Sequence, residues 1–93
     1  MQTKEHVVIT VMGQDRTGIV AKVSQVLYNA EANIIDISQT IMEDIFAMIL
    51  MVDISQANQS LTELQQELDR AGAELGVKIV AQHEDIFRYM HRI

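Results

Sequence analysis

Val7-Val8-Ile9-Thr10-Val11-Met12, with the loop that follows it, Gly13-Gln14-Asp15-Arg16-Thr17-Gly18, is the stretch on which the fold turns. Val7, Ile9 and Val11 form one alternating row and Val8, Thr10 and Met12 the other, and both rows are largely apolar. A strand of that kind belongs in the middle of a sheet, covered on each side. The loop is polar and glycine-bounded, and it delivers the chain into a helix from about Thr17 to Ala30. Ile19, Val20, Val23, Val26, Leu27 and Ala30 keep helical spacing and make one stripe, with Lys22, Ser24, Gln25 and Asn29 off it. Asp15 and Thr17 are candidate caps, and Gly18 in the first turn would let another group approach the backbone. A strand that feeds a helix through such a loop leaves free N–H groups at the helix start. Those groups can hold the carboxylate of a small molecule.

Working outward, Ala32-Asn33-Ile34 opens a second strand, Asn33 to Met42, in which Ile35, Ile37 and Ile41 alternate with Asp36, Ser38 and Thr40. Glu43-Asp44 reads as a hairpin turn. In the third strand, about Ile45 to Ile54, Phe46, Met48, Leu50 and Val52 form one face and Ala47, Ile49 and Met51 the other. With helices on one side only, the second row would be exposed in a monomer, and an exposed apolar patch points to a partner. After a polar loop, Ser60-Leu61-Thr62-Glu63 has the form of a capping box. Leu61, Leu64, Leu68, Ala71 and Leu75 give the next helix its stripe, and Gly76 sits where a helix ends left-handed. Val77 to Gln82 is a fourth strand. The tail, about residues 85–93, is expected to be a short helix packed on the body or on a second subunit.

The resulting β-α-β-β-α-β order predicts an α+β, ferredoxin-like fold. It consists of a four-stranded antiparallel sheet with two helices on one face and a short C-terminal helical tail. Right-handed crossovers leave two strand orders, 3-1-2-4 and 4-1-3-2. The chain of 93 residues is expected to be a single domain, with its core at about residues 5–84. A domain this small buries only ~60–65% of the surface its unfolded chain exposes, so oligomerisation would help it.

Composition narrows the function. Thirteen acids against seven scattered bases give a formal net charge of −6, which disfavours direct binding to nucleic acid. The longest apolar run, Ile45 to Val52, has eight residues and is far too short to span a membrane. The absence of cysteine suits a cytoplasmic protein. The start of the chain, Met1 to His6, lacks the apolar run of a signal peptide. His6, His83 and His91 are too dispersed for a metal motif, and six methionines read as core and interface filler. No cofactor motif is present, and no nucleophile or acid is placed beside Asp36, Glu43, Asp44 or Asp53. An enzyme is therefore not expected.

The run from Val7 through Asp15-Arg16-Thr17-Gly18-Ile19, with Ala32-Asn33-Ile34 at its distance, resembles an ACT domain. Members of that family are small regulatory modules that bind amino acids and related effectors. Ile35 to Thr40 and the Ile86-Phe87 tail narrow the likeness to stand-alone ACT proteins of bacteria and archaea, an uncharacterised group related to the glycine-cleavage-repressor type. The resemblance covers about residues 5–84. It implies a homodimer or higher oligomer with the effector at the subunit interface, near the first βα loop. Carried over, Gly13, Asp15, Arg16, Thr17 and Gly18 belong to the ligand loop, and Asn33 and Ile34 to the opening of the second strand. Two departures stand out. Serine-sensing members have histidine where this chain has Gly13, so serine specificity does not carry over. The usual proline before the loop glycine is replaced by Thr17, which loosens the start of the helix.

Each of these residues also has a plainer reading. Asp15 could cap the helix instead of holding an ammonium group, and Arg16 could be an exposed loop arginine instead of a carboxylate clamp. Asn33 could satisfy the turn before its strand. If the ligand has been lost altogether, the same chain is an interaction or oligomerisation module that regulates a partner protein.

Overall fold

A computed structural model describes residues 5–90; His91, Arg92 and Ile93 of the expected tail, and the residues before Glu5, lie outside the described part. The elements are β1 (His6–Gln14), α1 (Ile19–Asn29), β2 (Asn33–Met42), β3 (Ile45–Asp53), α2 (Leu61–Leu75), β4 (Val77–His83) and α3 (Glu84–Met90). The strands form one sheet in the order β2-β3-β1-β4, with β1 antiparallel to both neighbours and β2 antiparallel to β3. This is the second of the two orders left open by the crossover rule.

The core lies between α1 and α2 and one face of this sheet. Val7, Ile9 and Val11 of β1, Phe46, Met48, Leu50 and Val52 of β3, and Ile79 of β4 pack with Ile19, Val23, Leu27, Leu64, Leu68 and Ala71. The capping box forms as expected: the Ser60 hydroxyl accepts from the Glu63 N–H, and the Glu63 carboxylate accepts from the Ser60 N–H. Gly76 ends α2 at φ +70°, the left-handed conformation that suits glycine. Gln65 then ties α2 to the free edge of β4, donating to the Ile79 carbonyl at 3.0 Å and accepting from the Ala81 N–H at 2.8 Å.

Three details differ from the sequence expectation. Gly13 and Gln14 are the last residues of β1, paired with Phe46 and Ile45, so the loop expected to hold a ligand shortens to residues 15–18. Val20 stands at the margin of the α1 stripe and is exposed. In β2 a bulge between Ile34 and Asp36 breaks the simple alternation. The bulge puts Ile34 opposite Val52 and Ile37 opposite Leu50, both on the helix-covered face, and leaves Ile35 out of register. Yet the helix layer covers only the start of this edge strand, at Ile34, and Ile35, Ile37 and Ile41 are all exposed.

The tail helix α3 crosses the opposite face of the sheet, against β1 and β4. It shelters Val8, which is 3% exposed, but not Met12 at the far end of the same row, which is 58% exposed.

Candidate functional site

The expected site falls into two parts at opposite ends of the sheet. The first is the end of β1 and the loop to α1. Asp15 donates its N–H to the Asp44 carbonyl at 2.8 Å, which locks the loop to the β2–β3 turn. That turn places Glu43 at φ +58°. Arg16 is exposed, but it is not idle: its guanidinium donates to the Leu75 carbonyl at the end of α2, at 3.2 Å. Gln14, Asp15, Arg16, Leu75 and Gly76 thereby line a recess of about 360 Å³. On the other side of β1, Met12, Gly13, Gln14, Asp44, Ile45 and Lys78 border a shallow depression.

The start of α1 is not capped as expected. Gly18 occupies the N-cap at φ +93° and no side chain bonds the first turn, so neither Asp15 nor Thr17 acts as a cap. The physical reason is conformational. A left-handed N-cap turns the preceding residues away from the helix axis, and only glycine holds that φ without strain. An added Cβ at Gly18 would meet nothing within 4 Å, so conformation, not the close approach of another group, requires glycine here. The helix start keeps its unsatisfied N–H groups and partial positive charge beside Arg16.

Gly13 has a different role. A Cβ there would lie 2.8 Å from Val77 Cγ1 and 3.0 Å from Val77 Cα. The close packing of β1 against β4 leaves no room for a side chain, which accounts for the missing donor at this position. Gly13 therefore offers only backbone at this position.

The second part of the site is Asn33 and Ile34. Asn33 pairs with Asp53, while the loop end of β1, Gln14, pairs with Ile45. The nine-residue length of β1 and β3 separates the two ends, roughly 26 Å at strand rise. One chain therefore does not bring Asn33 and Ile34 together with Asp15 to Gly18. Asn33 does not serve its turn either, because Glu31 takes the left-handed position there at φ +58°. Asn58 holds that corner, accepting nothing from Asn33 but donating to the Asn29 carbonyl at 3.1 Å and passing its own N–H to the Ala30 carbonyl. The Asn33 carboxamide is exposed and makes no hydrogen bond among the described residues. Ile34 is half-buried against the core. Beside them, the Asp53 carboxylate accepts the Ser55 N–H at 2.9 Å, and chiefly that bond holds its pKa below the ordinary value.

Sequence reasoning missed Asp44, Leu75, Gly76 and Asn58 as parts of these two regions. The Gly76 stop signal fixed where α2 ends, but nothing local says that this end lies under Arg16.

Comparison with known proteins agrees with the fold. Residues 5–82 match the ACT domain family. The chain is 62% identical over 88 residues to a UPF0237 protein of Methanocaldococcus jannaschii, covering 95% of this chain and 98% of that one. An ACT domain protein from Streptococcus pneumoniae superposes with a TM-score of 0.79 at 40% identity, over 91% of this chain and 96% of that one. A structure named for a glycine cleavage system transcriptional repressor superposes with a TM-score of 0.72, over 86% of this chain and 46% of that one. At 24% identity, that last likeness is one of fold alone.

Proposed function

This chain belongs to the ACT domain family, and from that premise we propose that it is a regulatory module which binds a small effector, an amino acid, between two copies of itself. The observation that carries the reading is the contrast between the two edges of the sheet. Gln65 occupies the free edge of β4. The ten residues of β2 present an open edge, exposed at nearly every position and rich in isoleucine. Along it a side chain takes up one N–H, that of Ile37, which donates to the Asp36 carboxylate at 2.9 Å. A long apolar edge without proline or lysine is a template for another strand.

Antiparallel pairing of β2 with the β2 of a second copy, in the register that overlaps all ten residues, would set the partner's Asn33 and the partner's Ile34 beside Ile41 and Met42. The next residues, Glu43 and Asp44, hold the Asp15 loop. A second copy thus supplies what one chain separates. Arg16 and the open start of α1 offer a cationic seat for a carboxylate. Asp15, which is not engaged in capping, offers an anion for an ammonium group. Ligand held across two subunits stabilises the assembly, and assembly completes the site. The output is a changed oligomer or a changed contact with a protein partner.

The role is regulatory and not enzymatic. It calls for no cofactor, metal or direct contact with nucleic acid, and it is exercised in the cytoplasm. Among the described residues no helix is long and apolar enough to cross a membrane.

A thermal-shift screen of purified protein against the twenty amino acids and common metabolic acids, with size-exclusion runs on any hit, tests the proposal. A ligand at 100 times its Kd should add about 2.7 kcal/mol, and the hit should change the oligomer. Asn33→Ala should weaken binding while leaving stability within about 0.5 kcal/mol, since its side chain is exposed and unbonded. Equal affinity in mutant and wild type removes Asn33 from the site. A panel without any hit favours the second reading, a ligand-free interaction module that uses the same open edge.

A further inference from the structure

Another cavity lies on the outer face of the sheet, under α3. It is a cleft of about 500 Å³, within the ~300–1,000 Å³ range of small-molecule sites. Its floor is Val8, Ile49 and Met51 on the face that α1 and α2 do not cover, and its roof carries Phe87. The polar groups at its margin are Glu84 and Arg88. Only aliphatic, thioether and aromatic groups line the interior, so the cleft suits an apolar tail.

The margin decides the head group. Glu84 has two nitrogen partners: Arg88, with Nη2 at 2.8 Å and Nε at 3.1 Å from Oε1, and His6, with Nδ1 at 3.4 Å from Oε2. If Arg88 turns to a ligand, Glu84 keeps His6. If a cationic ligand came instead, it would compete with two groups already in place. The Arg88 side chain is held by Glu84 but is 69% exposed, so its guanidinium can be reached from solvent, and guanidinium is suited to bidentate recognition of a carboxylate. None of the residues of α3 is buried; the Arg88–Glu84 bonds lie within the helix, and the Glu84–His6 contact joins it to β1.

We propose that the cleft between α3 and the outer face of the sheet binds a small amphipathic carboxylate, its tail over Val8, Ile49 and Met51 and its head on Arg88. This site is separate from the interface site proposed above and does not depend on it.

The test uses the full chain with octanoate as the probe and 1-octanol as its uncharged counterpart, followed by methyl NMR. Octanoate should shift the Ile49 and Met51 methyl signals saturably. Octanol should bind about fivefold more weakly, the loss of one exposed charged contact. Arg88→Gln should weaken octanoate by about the same factor and erase its advantage over octanol. Because Arg88→Gln also releases Glu84, Arg88→Lys serves as the second variant; it keeps a cation and should retain most of the affinity. Three outcomes overturn the proposal: no saturable shift, equal affinity for octanoate and octanol, or shifts that follow protein concentration and not ligand. The last would mean that a second copy of the chain fills the cleft.

Discussion

Leu50 and Ile49 are neighbours in β3, similar in size and chemistry, yet Leu50 is 0% exposed and Ile49 is 49% exposed. The difference belongs to the two faces of the sheet. One face lies under α1 and α2, of eleven and fifteen residues; the other has, among the described residues, only the seven-residue α3, set over one end. Apolar character is present on both rows of β1 and β3, so it does not by itself place a residue inside. Burial follows from which layer the chain has available to lay over each face. The thinly covered face is therefore where the molecule has apolar surface left for a ligand or a second copy.

Paired substitutions across the two faces give the largest expected effect. Leu50→Ala should cost about 2–5 kcal/mol in urea unfolding, because a fully packed site collapses only in part around the loss. Ile49→Ala should cost less than about 1 kcal/mol at low protein concentration, since half of its side chain already meets water. If the two cost the same, the outer face is covered in solution and the contrast is broken. A cost for Ile49→Ala that rises with protein concentration would identify the cover as another subunit.

The same contrast can be sharpened at the end of β1. Gly13 pairs with Phe46 and Val77 on the helix-covered face, and a methyl group there would lie 2.8 Å from Val77 Cγ1. Gly13→Ala should destabilise by about 1–3 kcal/mol through overpacking. Val77→Ala in the same chain should restore part of that, but not all, because Val77 Cα is also close. Met12→Ala, one residue earlier and on the exposed row, should fall within about 0.5 kcal/mol of wild type. A mild Gly13→Ala would mean that β4 yields easily, and that the missing donor at this position has some cause other than space.

How much of this was legible in the sequence depends on the range of the interaction. The bounds of β2, the hairpin at Glu43-Asp44, the Ser60–Glu63 capping box and the Gly76 stop are written in local chemistry, and each appears where the residues place it. The unburied Ile37 and Ile41 are not, because periodicity reports a face and not whether a helix reaches it. The bulge at Ile35 likewise has no local signature, since it serves the pairing with β3. The candidate site was legible as residue types and not as a place. Asp15, Arg16 and Gly18 stand together because they are adjacent in the chain, but Asn33 lies at the other end of the sheet, and only the strand register reveals it. The capping roles expected of Asp15 and Thr17 failed for a related reason: the left-handed Gly18 sets the path into α1, and a sequence motif for an N-cap does not see φ.

The smallest expected effect concerns how the thin cover is held. Glu84 is bonded by Arg88 and faced by His6; the Arg88 hydrogen bond, more than the added positive charges, keeps its carboxyl below the ordinary value of 4.5, against a weaker opposing push from desolvation. A carboxyl whose folded pKa is depressed contributes stability at pH values above its unfolded pKa, and that contribution fades as pH falls through the folded pKa. The latch, an Arg88–Glu84 pair within α3 that faces β1 through His6, should therefore be fully present at neutral pH and be lost below the ordinary carboxylate range. Amide hydrogen exchange in α3, read against exchange in β1, measures this locally, where global unfolding is too coarse. Exchange in α3 should accelerate in wild type as pH is lowered past about 4.5, after correction for the intrinsic rate. Glu84→Gln should show the faster exchange already at neutral pH and little further acid dependence. If Glu84→Gln instead keeps the wild-type acid response, the latch lies with His83 and Asp85, whose side chains are 3.9 Å apart. The outer face would then be held at the joint between β4 and α3 and not at the margin of the cleft.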